Sequence, residues 1–333
     1  MDSRRSTRRG VLAAAGGIAA LATVPASAAS AVLWKSEYIA IKQRDGLAIK
    51  LAMYRKRMGA PQPGEAPLPV LFMVHGSSPA ALATFDLQVP GHGVYSLMDV
   101  FAGYGYDVWS MDHEGYGRSD RTAGNSDIAS GVQDLVAGAA VVQRETGQTR
   151  MHMLGESSGA LRAGAFAVAH PERIERLVLE AFTYTGVGSA TLGKRAEQID
   201  FYRTHNRRPR EREMLLSIFT RDKPGTTDTA VAEAFADAEM VNGNSVPTGT
   251  YLDMVAHLPV VDPAKVLCPV LLVTGEFDGI SSTADLLDFF GKLPNGDRQY
   301  SIIAGAAHSI IMSRTREAFW HVVQAFLTVP ATT

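Results

Sequence analysis

Nine residues, Met151 to Gly159, constrain this chain more than any other stretch. Met151-His152-Met153-Leu154 is a short, largely apolar run that leads directly into Gly155-Glu156-Ser157-Ser158-Gly159 and then into a small-residue segment. A Gly-x-Ser-x-Gly pattern at a strand-to-helix junction predicts a sharp turn. Glycines flank the serine there because a side chain would meet the neighbouring strand or helix. Such a turn holds the Ser157 hydroxyl clear of a sheet, with a helix starting beneath it. Taken alone the pattern equally describes an ordinary turn, so its meaning rests on what surrounds it.

Strand-like and helix-like segments alternate on both sides of it. Residues 34–40 and 47–54 have strand composition, and Asp45-Gly46 between them predicts a hairpin. Val70 to Val74 is a continuous apolar run, as expected of a strand buried on both faces. Further strands are predicted over 106–111 and 176–181, and helices over 95–102, 128–145 and 158–169. Then the rhythm breaks. Residues 183–266 offer no clear buried strand, only helical segments around 191–202, 210–219, 229–240 and 249–257. Alternation resumes with strands at 269–274 and 299–303 and helices at 282–292 and 315–327. This order predicts an α/β fold, a mostly parallel sheet with helices on both faces. Its core comprises residues 31–182 and 267–333, and 183–266 form a helical insertion over one edge of the sheet.

A chain of 333 residues with 46% hydrophobic and 20% charged residues is ample for a large soluble core. Its net charge of −2 gives no reason to expect nucleic acid or an anionic membrane as partner. The single cysteine, Cys268, excludes an intramolecular disulfide and reads as a small buried hydrophobe beside the run 269–273. Residues 1–30 stand apart from the fold. Arg4-Arg5 and Arg8-Arg9 precede an uncharged run from Val11 to Val24 and a small-residue cleavage site at Ala26-Ser27-Ala28. Thr7-Arg8-Arg9-Gly10-Val11-Leu12 resembles a twin-arginine export signal, which implies a periplasmic or extracellular mature protein without a stable membrane span.

A serine hydroxyl is a poor nucleophile at neutral pH. It needs a base within hydrogen-bond reach, and the base needs a group to fix its tautomer. In a parallel sheet those partners are expected at the carboxyl ends of later strands. Asp278 sits just past the run 270–275 and fits the orienting role, with Glu276 as its nearest rival; Asp285 and Asp288 fall on the next helix and read as solvated. His308 follows Gly305-Ala306-Ala307, small residues that let a loop pass close to the serine, and it fits the base. His321, inside a helical run, reads as a face residue. An oxyanion formed by attack on a carbonyl needs two N–H donors. Ser158, opening a helix, offers one, and Ser77 after the 70–74 strand the other, with Ser78 as the alternative. His75 reads as a tie for that loop.

These pieces in register resemble the α/β-hydrolase fold family over residues 34–327. The likeness rests on His75-Gly76, on the run from Asp112 to Ser119, on Gly155 to Gly159, on Gly275-Glu276-Phe277-Asp278 and on His308. It implies an eight-stranded sheet with a helical cap between the sixth and seventh strands, and a Ser-His-Asp triad acting on esters, amides or related bonds. Many relatives carry an Arg-type dipeptide after the fourth-strand Asp where this chain has His113-Glu114, in a loop that shapes the turn and pocket wall. A serine at 157 excludes the branches that use a carboxylate nucleophile. The histidines are scattered without metal-ligand spacing, and no Gly-x-Gly-x-x-Gly follows the first strand, so neither metal nor dinucleotide cofactor is expected.

The expectation is an exported serine hydrolase that cleaves a small-molecule carboxylic ester through an acyl-enzyme. Its rivals are an aminopeptidase, an acyltransferase or a C–C bond hydrolase on the same triad, and a binding protein that lost turnover. Arg203, Arg207, Arg208, Arg210 and Arg212 read either as a basic rim for an acidic substrate or as a solvated helix face. Tyr184, Tyr202, Phe219, Tyr251 and Met254 read as pocket lining or cap packing.

Overall fold

The structure, a computed structural model, describes residues 32–330; the export segment read in residues 1–30 lies outside the described residues. Strands β1 (Leu33–Arg44) and β2 (Leu47–Met58) form the expected antiparallel hairpin. Its turn is Asp45-Gly46, both at positive φ (51° and 78°), as a two-residue hairpin demands. Both strands run longer than their apolar segments, because charged strand residues find partners: Arg55 donates to Asp107 at 2.8 Å, and Lys56 Nζ meets Asp99 at 2.6 Å.

Next come β3 (Val70–Val74), α1 (Ala81–Phe85), α2 (Leu97–Gly103), β4 (Asp107–Met111), α3 (Ile128–Thr146), β5 (Met151–Glu156), α4 (Ser158–Ala169) and β6 (Ile174–Glu180). The insertion follows as α5 (Ala190–Ala196), α6 (Ile199–Thr204), β7 (Arg207–Pro209), α7 (Arg212–Ser217), α8 (Thr229–Met240), β8 (Ser245–Pro247) and α9 (Gly249–Ala256). The core closes with β9 (Val270–Gly275), α10 (Thr283–Lys292), β10 (Arg298–Ile303) and α11 (Arg316–Leu327).

Eight strands make one sheet in the order β1-β2-β4-β3-β5-β6-β9-β10, parallel from β4 onward. Every residue of β3, β4, β5 and β9 is buried. Alternate side chains feed two separate cores. Phe72, Met153 and Leu179 join α3, α4 and α10 on one face, while Leu71, Met73, Leu154 and Val178 join α2 and α11 on the other. Among the described residues no helix is long and apolar enough to cross a membrane.

The insertion differs from expectation in three ways. The helix expected over 191–202 is two short ones, α5 and α6, broken around Glu197-Gln198. Residues 207–209 and 245–247 pair as a small antiparallel ribbon, too short and too rich in Arg and Pro to show a strand period. The segment also covers the middle of the sheet rather than one edge. Arg210 donates to the Ser78 carbonyl at 2.8 Å and Gly249 N–H to the Asn125 carbonyl at 2.7 Å, and these belong to the loops after β3 and β4. Those loops present free backbone groups at the sheet's carboxyl end, where the chain leaves β6.

Candidate active site

The turn between β5 and α4 forces Ser157 to φ 55°, ψ −122°, a left-handed backbone that a residue with a Cβ adopts only where its surroundings over-determine it. The surroundings are tight. A Cβ on Gly159 would lie 2.1 Å from the Val74 carbonyl oxygen, and one on Gly155 would lie 2.5 Å from that of Gly159. Glycine at both positions lets α4 start against β3, which raises the Ser157 hydroxyl above the sheet.

His308 and Asp278 arrive from the loops after β10 and β9. Gly275 lets these loops touch, since a Cβ there would meet the Ala307 carbonyl at 2.2 Å. His308 Nε2 lies 2.9 Å from Ser157 Oγ, and its Nδ1 lies 3.0 and 3.1 Å from the two Asp278 carboxylate oxygens. The His308 and Asp278 side chains are 5% and 1% exposed, so little water competes for these bonds. Burial by itself would raise the Asp278 carboxyl; the His308 imidazole and the N–H groups of Ile280 and Ser281 outweigh it and hold Asp278 below its ordinary value. An ionised Asp278 accepts a hydrogen bond from Nδ1–H, which leaves Nε2 free to take a proton from Ser157.

Two other carboxyls stand nearby. Glu156 and Glu180 face each other across β5 and β6. Burial pushes both up, Glu180 well above its ordinary value with the charges of Glu156 and Asp278 adding to the effect. Environments thus push the three carboxyls apart, Asp278 downward and Glu156 and Glu180 upward.

Ser77 and Ser158 adjoin the same spot. Ser77 Oγ donates to Ser158 Oγ at 2.7 Å, and Ser158 is the first residue of α4, where an N–H has no carbonyl partner within the helix. Ser78 turns its hydroxyl to Tyr251, 2.8 Å away. His75 is fully buried; its Nε2 accepts the His113 N–H at 3.1 Å and its Nδ1 lies 2.8 Å from the Gly76 carbonyl, so it ties the loop down.

The rival positions lie elsewhere. Glu276 accepts the Gly305 N–H at 2.8 Å on the surface, and His321 is exposed on α11. Asp288 pairs with Lys292 on the surface at 2.7 Å, but Asp285 corrects the expectation of a solvated residue. It is buried in the first turn of α10, where it accepts the N–H groups of Tyr184, Thr185 and Gly186 at 3.0 to 3.1 Å, donors that leave β6 without strand partners.

The arginine run is neither a rim nor uniformly solvated. Arg203 pairs with Asp200 and Arg212 with Asp237 and Glu233 on the surface. Arg207 donates to the Ser245 and Gly115 carbonyls, Arg208 sits 4.7 Å over the Tyr251 ring, and Arg210 is buried against Glu239. The cations that do line the pocket above Ser157 are Arg195 and Arg221, which no sequence pattern singled out. Burial, with the charges of Arg221 and Arg208 nearby, lowers Arg195 to about 10. Phe219 lines this pocket too, whereas Tyr202 stacks on Tyr251 and Tyr184 packs on Phe289. The pocket is small, about 40 Å³.

Comparison with known proteins places these observations. A family model described as serine aminopeptidase, S33, matches residues 93–315, more than half of the chain. A 2-hydroxy-6-oxononadienedioate/2-hydroxy-6-oxononatrienedioate hydrolase of Paraburkholderia phymatum is 34% identical over 116 residues, 33% of this chain and 34% of that one. The chain thus spans about a third of the length of the curated relatives it matches. The structure is similar to 2-hydroxy-6-oxo-6-phenylhexa-2,4-dienoate hydrolase from Rhodococcus sp. strain RHA1, with a TM-score of 0.60 and 17% identity over 88% of this chain and 100% of that one. It is also similar to a thermophilic esterase from Thermogutta terrifontis, with a TM-score of 0.61 and 18% identity over 88% and 98%. At these identities the likeness to solved structures is one of fold.

Proposed function

This chain belongs to the S33 serine aminopeptidase family of α/β-hydrolases, and we propose that it is a serine hydrolase acting on a small-molecule carboxylic ester. Ser157 Oγ attacks the carbonyl carbon as His308 Nε2 takes its proton. The carbonyl oxygen becomes an oxyanion held by the N–H groups of Ser77 and Ser158, and the helix dipole of α4 adds to that hold. His308 then protonates the departing alkoxide, which leaves an acyl-enzyme. Water, deprotonated by the same imidazole, attacks the acyl carbon and releases acid and free Ser157. The observation that carries this reading is the unbroken line of contacts from Ser157 Oγ through His308 to Asp278, 2.9 Å and 3.0 Å long.

The pocket wall narrows the substrate. Arg195 and Arg221 line it; Arg221 Nε lies 3.4 Å from Asp222, so Arg195 is the less compensated of the two, and burial raises Glu156, the carboxyl among the lining residues. A substrate bearing an anionic group is attracted to Arg195 there, whereas the α-ammonium of an aminopeptidase substrate is repelled by it. The proposal extends to residues 1–30: their twin-arginine pattern supports export of the mature enzyme.

A second reading is C–C bond hydrolysis on the same three side chains. It is favoured by the relatives that share 34% identity over 116 residues, which act on oxodienedioates according to their names. A panel of p-nitrophenyl esters, aminoacyl anilides and a 2-hydroxy-6-oxo-dienoate separates the readings by rate. Ser157→Ala is expected to lower the rate on the preferred class by about 10⁴-fold or more with the fold intact. Full activity in that variant would end the serine mechanism.

A further inference from the structure

The turn that carries Ser77 is tied down at its start by His75, but regular structure gives the residues that follow little hold. The β3 ladder ends at Val74, and residues 75–80 follow without regular structure before α1. An oxyanion donor must nevertheless stay within about 0.5 Å of its working position. Beside the core contacts of His75 and of Ala81 N–H with Asp112, the holds on residues 77–80 come from the insertion, some 130 to 170 residues further along the chain. Thr250, in the first turn of α9, donates its hydroxyl proton to Ser77 Oγ at 2.8 Å. Ser77 in turn donates to Ser158 Oγ at 2.7 Å, so one buried hydroxyl chain runs from α9 through both oxyanion residues.

A second hold lies two residues on. Arg210 and Glu239 form an ion pair with side chains 2% and 0% exposed. Glu239 Oε2 accepts the Ala80 N–H at 2.9 Å and Arg210 Nη1 donates to the Ser78 carbonyl at 2.8 Å. Arg210 Nη2 donates to the Gly243 carbonyl at 2.6 Å, which fastens the pair to its own segment. Between these holds the Ser78 hydroxyl lies 2.8 Å from Tyr251 OH. A buried ion pair is poor value for stability alone. This one is aimed at the two backbone groups that bracket the turn.

We propose that Thr250 and the Arg210–Glu239 pair are positioning residues of the oxyanion hole, through which the insertion braces the 77–80 turn against α4. The inference rests on the serine-hydrolase reading and adds a role for the insertion beyond covering the pocket. It also divides the insertion. Glu239, Thr250 and Tyr251 bond to the catalytic turn, whereas Arg195, Ile218, Phe219 and Arg221 line the pocket above Ser157.

The test uses the full-length protein and two readouts: kcat and KM on an ester the protein turns over, and the rate of Ser157 labelling by a fluorophosphonate, which needs the same hole but no physiological substrate. Thr250→Val keeps the side chain's size and removes its proton; Thr250→Ser keeps the proton. Thr250→Val is expected to lower kcat and the labelling rate by about tenfold or more with KM changed by less than about twofold, and Thr250→Ser to recover most of both. Glu239→Gln, which cuts the ion pair, is expected to move the same two quantities in the same direction. Wild-type labelling in Thr250→Val, a change confined to KM, or failure of Thr250→Ser to restore the rates would overturn the brace and leave the hydrolase reading standing. An unmodified protein that does not label at all would overturn both.

Discussion

Ser157, His308 and Asp278 converge although 121 and 30 residues of sequence separate them (278 − 157 and 308 − 278), because each closes or follows a strand of one parallel sheet. That is why they were legible in the sequence: a chemistry-bearing residue just past an apolar run is placed by the run. Arg195 and Arg221 follow no strand. Their presence in the pocket depends on how α5 and the loop after α7 fold over the sheet, and no local pattern fixes that. The arginines at 203–212 are dense along the chain, yet density in sequence says little about where guanidiniums point. Arg195 is the residue on which substrate charge should register. In Arg195→Gln, KM for an ester carrying a free carboxylate is expected to rise by about tenfold or more, the scale of one lost hydrogen bond to a charged group, while KM for its neutral methyl analogue stays level. Equal changes for both esters would remove Arg195 from substrate recognition.

At the scale of elements, agreement between sequence and structure followed helix length. α4 and α8 begin and end where sequence reading put them; Asp228 caps α8 by accepting the Ala230 N–H at 3.0 Å. α5, α6 and α7 are six or seven residues long, too short to show a helical period, and they exist through packing. The β7–β8 ribbon was illegible for the same reason. The contact of α4 with β3 is the one whose tolerance is smallest. Gly159→Ala places a methyl 2.1 Å from the Val74 carbonyl oxygen, and either the helix or the strand must move. The expected cost is about 1–3 kcal/mol in denaturant unfolding, with activity falling further than stability because the serine turn shifts with the helix. Gly291→Ala in α10 serves as the control. Nothing lies within 4 Å of its Cβ position, and helix propensity favours alanine there by up to about 1 kcal/mol. A neutral Gly159→Ala would show that the junction has slack.

For the molecule as a whole, acid should be felt through histidines kept neutral in the interior. Burial lowers His75 and His113 well below the ordinary value, and lowers His152 to about 4 with the charges of Arg176 and Arg150 adding to the effect. As pH falls below about 6.5 the unfolded chain takes up these protons and the folded chain does not, so each histidine withdraws up to about 1.4 kcal/mol of stability per pH unit. For His152 the window closes near its folded value of about 4. The raised carboxyls of Glu156 and Glu180 work in the opposite sense, since the folded chain binds their protons first. The measurement is therefore a difference. His152→Asn is expected to lose less stability than the unmodified protein on acidification from pH 7 to pH 5, and identical slopes would mean that His152 is charged in the fold.

Cys268, the protein's only cysteine, is 8% exposed and is raised to about 12 by burial. A sulfur so placed carries almost no thiolate and cannot meet its counterpart on a second copy while the fold persists. Neither intra- nor intermolecular disulfide bridging is then open to the native chain, so its folded state is indifferent to the thiol–disulfide poise of its surroundings.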